Sequence, residues 1–471
     1  MKKTVGKGIL FYLFVLFSIA FGVLCIFAGI LIFSPGAEIF GISYSYSKAE
    51  TFYQKIAVED KTENISQLIK EGKITKFVID SDNFNIYINR ENVVNVGLRV
   101  KNEYSGLSKH DQRKVAKTTI DFDKDAKTYT IKVLGPECVL WFSNSSKIVF
   151  ALPDTIDLRD VDLEIKTKAS KVIVGNTESY QYTFNSLSVN CEKSALVQLN
   201  KKIAFTNDVK IVSNKGEIRQ LGTLALKNFE IQTDNAKIVL NTIKCSNEMR
   251  LISESSTVKI DEVTTVNGKM TYDAKSGVIS INKITGEFTC SERVNISNIQ
   301  IGEAYGDLLL PKANTSNITI DKLYAMARIN TTSGNVKINK AYSSALISTD
   351  SGKIEVTFCP ENSESEKYSG AFSSLSTVSG DIIANYNNIL LENNVSTEKG
   401  NIVVNFNNNL EFNITYSCGE KDPRFADGIP NIESLEKEGE IVIGNGSTVN
   451  KLDIKNQKGI LELRNTFELS K

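Results

Sequence analysis

The chain has 471 residues, 55 basic and 55 acidic side chains, one histidine and seven cysteines. A surface so evenly balanced excludes nucleic acid as an obvious partner. With a single histidine and no CxxC pair, there is no basis for a zinc site, and no cofactor is expected.

The first element in the chain is an uncharged run from Gly8 to Phe33, longer than the roughly 20 apolar residues that cross a bilayer core. It reads as a transmembrane helix. Lys2, Lys3 and Lys7 precede it and Glu38 is the first charge after it, so the expected topology is single-pass, with a cytoplasmic N-terminus and the remainder outside the cell membrane. Ser18, Gly22, Cys25 and Gly29 recur at a 4-3-4 spacing and form a small-residue stripe, an expected packing face for self-association in the membrane. A juxtamembrane linker is expected over 34–72, with an amphipathic helix from Ala49 to Lys70.

Residues 73–150 read as an N-terminal β cap or first coils. Strand candidates there are Lys76 to Asn89, Val93 to Lys101, Thr118 to Phe122 and Tyr129 to Val133, and Trp141 is expected in the core. Asp121, Asp123 and Asp125 have a calcium-loop spacing, but Ala126 stands where the loop needs Gly and Lys132 where it needs Glu, so a polar hairpin is expected. Asp154, Asp157, Asp160 and Asp162 are expected on turns and solvent faces. His110 lies in a hydrophilic loop with no nucleophile motif beside it.

From 151 to 471 a phrase repeats: a polar turn ending in Gly or Ser, then apolar residues at alternate positions. Gly334-Asn335-Val336-Lys337-Ile338, Gly352-Lys353-Ile354-Glu355-Val356, Gly400-Asn401-Ile402-Val403-Val404 and Gly439-Glu440-Ile441-Val442-Ile443 are the clearest copies. Aligned by turn, Gly216, Ala236, Ser256, Gly277, Ser316, Gly334, Gly352, Gly380, Gly400, Gly439 and Gly459 succeed one another mostly about one coil apart, with weaker copies at Ser170 and Ser194 and a degenerate coil near Val294 and Ile296. Thr377, Gly380, Ile382, Asn385 and Tyr386 are matched by Thr397, Gly400, Ile402, Asn405 and Phe406. Such pairs would stack about 4.8 Å apart, as Asn ladders and aromatic stacks. The turn glycines are expected to supply positive φ. The expected fold class is all-β: a single-stranded β-solenoid, or β-helix-like stack, of about 20-residue coils, roughly 70 Å long, preceded by one transmembrane α-helix. Projecting loops are expected at Pro360 to Ser374 and Cys418 to Glu438. In the latter, Asp422, Arg424 and Asp427 form a candidate polar binding site. Cys138, Cys191, Cys245, Cys290, Cys359 and Cys418 are expected to be mostly buried free thiols.

The pattern apolar-x-apolar-x-Ser/Thr-x-x-Gly/Ser-x-apolar-x-apolar, as in Ala345 to Val356, together with Leu152-Pro153 and Leu310-Pro311 ahead of later strands, resembles the adhesin-like β-repeat family of bacterial envelope proteins, DUF4097-like and of unknown function. The resemblance spans roughly Lys73 to the C-terminus and implies a stacked β fold at the cell surface. It brings no catalytic residues with it. The expected function is a noncatalytic, adhesin-like binding or spacer module facing glycans or cell-wall polymers. The alternatives are an envelope-stress sensor or assembly scaffold that docks envelope proteins and, behind that, a polysaccharide-active enzyme.

Overall fold

The computed structural model describes residues 2–34, 37–58, 61–91, 93–153, 155–168, 171–175, 182–291, 298–311, 317–359, 372–387, 392–407, 410–425, 437–443 and 450–465. Ser170, Ser316, Val294, Ile296, Asp154, Asp427 and most of the loop expected from Pro360 lie outside them. Contacts divide the chain into two compact units, Met1–Ile156 with Ile165–Val172, and Asp157–Glu164 with Ile173–Lys471.

The first unit opens with α1 (Lys2–Phe33). Its side chains are described without a break over residues 11–27, where Phe11, Phe14, Phe17, Phe21, Leu24 and Ile26 each expose more than half their surface. That continuous stretch is short of a span, and among the described residues no helix is long and apolar enough to cross a membrane. The strands that follow are β1 (Glu38–Ile39), β2 (Ile42–Tyr53), β3 (Lys55–Val58) and β4 (Lys61–Asn64); after α2 (Ile65–Lys70) come β5 (Lys76–Ser81), β6 (Asn85–Arg90), β7 (Gly97–Lys109), β8 (Lys117–Asp123), β9 (Thr128–Leu134), β10 (Leu140–Asn144) and β11 (Lys147–Leu152).

The helix expected from Ala49 to Lys70 is confined to α2, its last six residues. Upstream, Tyr44-Ser45-Tyr46-Ser47 alternates at strand period and Thr51 and Phe52 favour a pleat, so 42–53 instead pairs antiparallel with β7, from Ile42 opposite Lys109 to Tyr53 opposite Leu98. Its start is set by a two-residue turn in which both Phe40 (φ 54°) and Gly41 (φ 73°) are left-handed, the geometry that matches strand twist. Helix α2 begins where the Asn64 side chain accepts a hydrogen bond from Ser66 N at 2.8 Å. It ends before Gly72, whose φ is +64°.

The sheet of this unit is mixed. β2 and β10 flank β7 antiparallel, while β5 runs parallel to β9. Phe77, opposite Tyr129, packs 5.5 Å from that ring and 4.8 Å from Phe150 to make its core. Trp141 is not part of that core. It lies half-exposed on β10, a short strand bulged between Trp141 and Ser143, with the Tyr104 ring edge-on to it at 5.5 Å. Asp121 to Asp125 close the β8–β9 hairpin, where Asp123 accepts from Ala126 N at 2.9 Å.

The second unit is built of parallel ladders. Along one, Ile299, Ile318, Val336, Ile354, Ile382, Ile402 and Leu461 stand opposite one another in turn; along the other, Leu310, Ile329, Ile347, Leu375, Val395 and Ile454 do so. All are essentially water-free. Each fully buried aliphatic side chain stabilises by roughly 1.5–3 kcal/mol, so every coil is held by the column it extends. Earlier coils follow the same rule, with Ile218 opposite Ile238 and Ile238 opposite Val258. The expected Asn ladder is present, Asn405 Nδ2 donating to Asn385 Oδ1 at 2.7 Å. Tyr305, Tyr324 and Tyr342 stack with ring centroids 4.4 and 4.9 Å apart. Cys191, Cys245, Cys290 and Cys418 are buried free thiols, and Cys138 and Cys359 are half-buried.

The fourth quoted phrase departs from the repeat. Gly439 to Ile443 belongs to strand Glu438–Ile443, which runs antiparallel against Phe412–Cys418. The coil expected after Gly400 is instead supplied by Lys451–Asn456, which lies between Glu392–Thr397 and Phe412–Cys418 and is parallel to both. Gly439 therefore faces the Tyr416 ring rather than a coil corner; a Cβ there would stand 2.6 Å from the phenolic oxygen.

Candidate binding groove

Each late coil turns on the same device. Thr349 Oγ1 accepts from Gly352 N at 3.0 Å, Thr377 Oγ1 from Gly380 N at 2.9 Å, Thr397 Oγ1 from Gly400 N at 3.0 Å, and Asn456 Oδ1 from Gly459 N at 2.9 Å. These side chains are buried, so the hydroxyl or amide oxygen satisfies an N–H that the bend removes from the ladder. Glycine is required there by close approach, not by positive φ. A Cβ on Gly352, Gly380, Gly400 or Gly459 would lie 1.9, 1.9, 1.8 or 1.7 Å from the carbonyl oxygen of the glycine in the neighbouring coil. Positive φ holds for Gly216 and Gly277 in the earlier coils, at 107° and 135°.

Because the corner residues are locked inward, the residues on either side of each Thr line a groove of ≈ 310 Å³ that crosses four coils. Ser348 and Asp350, Ser376 and Val378, Ser396 and Glu398, and finally Lys455 and Gln457 form its successive rows. The backbone beneath is spent between coils: Val378 N donates to Thr349 O, Ser379 N to Asp350 O at 2.8 Å, and Lys399 N to Val378 O at 2.9 Å.

The side chains are not spent. Elsewhere on the outer faces some polar groups pair from coil to coil, as Lys210 with Glu230 at 2.9 Å, Lys322 with Glu303 at 2.7 Å, Lys337 with Glu355 at 2.8 Å and Asn339 with Asp321 at 2.9 Å. The Lys337 ammonium holds the Glu355 carboxyl below its ordinary range, and Lys322 does the same for Glu303. In the groove, by contrast, Ser348, Ser376, Ser396, Asp350, Glu398 and Lys455 have no side-chain partner among the described residues. Three hydroxyls, two carboxylates and an ammonium thus line the groove. A broader depression of ≈ 640 Å³ lies over Asn247, Thr265 to Lys269 and Glu287, but its Glu248 is already 3.7 Å from Arg250 and Val266 stands exposed in it. Among the described residues no cluster of His, Cys, Asp and Glu could hold a metal ion.

The loop site expected at Asp422, Arg424 and Asp427 is only partly described. Arg424 and Phe425 form a short parallel strand on Glu462–Leu463, where the Arg424 charge helps lower the Glu462 carboxyl after the larger effect of Arg464, and Phe425 packs edge-on against Tyr416 at 5.6 Å. Asp422 is exposed beside Cys418, and Asp427 lies outside the described residues. On α1, Ser18 and Cys25 are exposed, and a Cβ on Gly22 or Gly29 would meet nothing within 4 Å. The groove was not anticipated from sequence, although its signal is there: Ser348-Thr349-Asp350-Ser351-Gly352, Ser376-Thr377-Val378-Ser379-Gly380 and Ser396-Thr397-Glu398-Lys399-Gly400 repeat one Ser-Thr-x-x-Gly phrase.

No curated protein matches this chain. Two solved structures are similar over most of its length. One is described as a "putative cell adhesion protein" from Clostridium sporogenes, at 9% identity, covering 89% of this chain and 100% of that one with a TM-score of 0.15. The other is described as a "putative adhesin" from Parabacteroides distasonis, at 11% identity, covering 88% of this chain and 97% of that one with a TM-score of 0.20. Likeness at those scores carries no argument about this chain. The family model Toastrack DUF4097 matches residues 267–464, which include every row of the groove. The DUF4097-like resemblance of the Thr-x-x-Gly corners thus coincides with a match to the Toastrack DUF4097 family model over residues 267–464.

Proposed function

We propose that this chain is a membrane-anchored cell-surface protein whose stacked β coils form a noncatalytic, adhesin-like binding or spacer module at the bacterial envelope, with the Ser-Thr-x-x-Gly groove as its contact with glycans or cell-wall polymers. The observation that carries this reading is the row of hydroxyls, carboxylates and an ammonium that crosses four coils with no side-chain partner among the described residues. Coils about 4.8 Å apart offer like groups at a regular spacing. A polymer with repeating hydroxyls, amides or amines can meet several rows at once. Each hydrogen bond contributes about 0.5–1.5 kcal/mol net, so one groove binds weakly and several copies on one surface bind through effective concentration.

The anchor is α1. Its uncharged run, the lysines before it and the apolar side chains exposed on all its described sides support a span with the N-terminus cytoplasmic. Binding of the full chain in nanodiscs to arrayed glycans and cell-wall fragments tests the groove. Ser376→Ala with Ser396→Ala is expected to weaken saturable binding about tenfold, the equivalent of losing two hydrogen bonds. Absence of saturable binding, binding unchanged by the double substitution, or turnover of the bound polymer would each reject the reading.

A further inference from the structure

The sheet of β1, β2, β7 and β10 carries an apolar cluster on its outer face that glycan binding does not use. Phe40, at the tip of the β1–β2 turn, is 91% exposed and Tyr46 is 62% exposed. Leu140 and Phe142 are exposed on β10, and the Phe142 ring lies 6.4 Å from Tyr44. Tyr44, Leu107 and Leu140 stand opposite one another across three strands and so share that face. The cluster is continuous with α1, because the Phe40 ring meets Phe27 edge-on at 6.4 Å.

We propose that this face is a lipid footing: the tip at Phe40 reaches the hydrocarbon boundary of the membrane, and Tyr44, Tyr46, Leu140 and Phe142 lie in the interfacial layer. The inference rests on the reading of α1 as the anchor and adds where the first sheet must then sit. From Gly8 to Phe33 the helix rises about 39 Å, which exceeds a hydrocarbon core of about 30 Å by about six residues. With Lys7 held at the cytoplasmic surface, the core ends near Phe27, and Phe40 against it lies at the same depth. Tyrosine and phenylalanine are suited to that zone, the former with an apolar body and a polar tip. The charges around the turn suit it as well. His110 Nδ1 stands 3.8 Å from Glu38, Lys109 lies opposite Ile42, and Lys114 Nζ donates to Ser43 Oγ at 3.2 Å, all at a level where headgroups and water solvate them. Lipid is favoured over a protein partner because the cluster rests against the anchor itself.

The test uses the full chain reconstituted in phosphatidylcholine vesicles. Trp141→Phe removes the only tryptophan, and Phe40→Trp or Tyr46→Trp then adds a reporter. Lipids brominated near the top of the acyl chain are expected to extinguish most of the Phe40→Trp emission while aqueous iodide leaves it, with the Tyr46→Trp variant intermediate. Should Trp141→Phe disturb folding, Phe40→Trp in the otherwise unaltered chain is expected to add bromine-quenched emission to that of Trp141, which stands opposite Gly106 and against Tyr104 on the other face of the sheet. The absence of added quenching would overturn the footing. Chain that floats with the vesicles but is quenched by iodide and not by bromine overturns the footing and leaves the anchor standing. Chain that does not float overturns both.

Discussion

Replacing Gly380 by alanine isolates the force that sets the coil spacing. The added Cβ would stand 1.9 Å from the carbonyl oxygen of Gly352 and 2.6 Å from its carbon. Relief to an ordinary carbon–oxygen contact requires the coils to part by about 1.4 Å. Three inter-coil bonds flank the site: Val378 N to Thr349 O at 3.2 Å, Ser379 N to Asp350 O at 2.8 Å and Ile354 N to Asp381 O at 2.9 Å. Stretched by that amount, each leaves hydrogen-bonding range. At about 0.5–1.5 kcal/mol apiece the expected loss is about 2–4 kcal/mol. Because Gly380 is not left-handed, no backbone strain adds to this. Gly72→Ala is the complementary case, with φ +64° and open space around it; strain alone costs about 1 kcal/mol there. The assay is urea unfolding combined with hydrogen exchange at the amides of 354, 378 and 379, since a stack of coils loses stability locally before it loses it globally. Gly380→Ala that unfolds within about 0.5 kcal/mol of the parent, with those amides still protected, would refute the idea that close approach is what requires glycine.

Thr377→Val keeps the shape of the corner but leaves the buried Gly380 N–H without its acceptor; a loss of about 1–3 kcal/mol is expected in urea unfolding, whereas Thr377→Ser should stay near the parent. Burial pushes the Cys191 and Cys245 thiols from 9.0 up to about 12, so the folded state prefers the neutral thiol. Their contribution to stability is therefore complete below pH 9.0 and declines as pH rises towards about 12. Urea midpoints measured across that window should fall, and Cys191→Ala with Cys245→Ala should flatten the decline. If the stripe of Ser18, Gly22, Cys25 and Gly29 mediates self-association, Gly22→Leu with Gly29→Leu should abolish energy transfer between labelled chains in vesicles. The same pair should leave coil stability unchanged, since among the described residues a Cβ on either glycine meets nothing within 4 Å. Undiminished transfer would remove the stripe as an interface.

The coil repeat was legible because its cause is local and periodic. Ile354 and Val356 alternate with Lys353 and Glu355 in one coil and face their counterparts Ile382 and Ala384 in the next, so sequence spacing maps directly onto register. What the sequence did not yield depends on pairing between distant segments. Tyr44 to Ser47 alternates, but only the presence of β7 makes those residues a strand rather than a linker, with Asn102 Nδ2 donating to the buried Ser47 hydroxyl at 2.7 Å. Trp141 sits in an apolar phrase that looks like core, yet a bulged strand with a single neighbour has too little cover to bury it. Gly439 carries the repeat phrase but meets an antiparallel partner, because the strand that would have stacked on it comes later in the chain. The groove escaped notice for a different reason: Ser348, Ser376 and Ser396 are unremarkable singly and acquire meaning only once the coils bring them into line.

The order of the last strands links the cap to the groove. Parallel stacking leaves an open edge that templates further pairing, and a stack must end it. Here the end is made by Phe412–Cys418, covered on its outer side by the antiparallel strand Glu438–Ile443, which presents Glu438 and Glu440 to solvent. Between that cap and the regular coils the chain returns to insert Lys451–Asn456, held to Thr397 through Gln457 N at 3.2 Å and to Asn401 through Ile460 N at 3.0 Å. Those contacts join residues about three coil lengths apart in sequence, so closing them costs more loop entropy than any neighbouring pair of coils does. Lys455, the groove's single ammonium, and Gln457 arrive with that strand. The rows built from Ser348, Ser376 and Ser396 therefore arise from local stacking, whereas the cationic end of the groove exists only in a stack whose terminal strand is already in place.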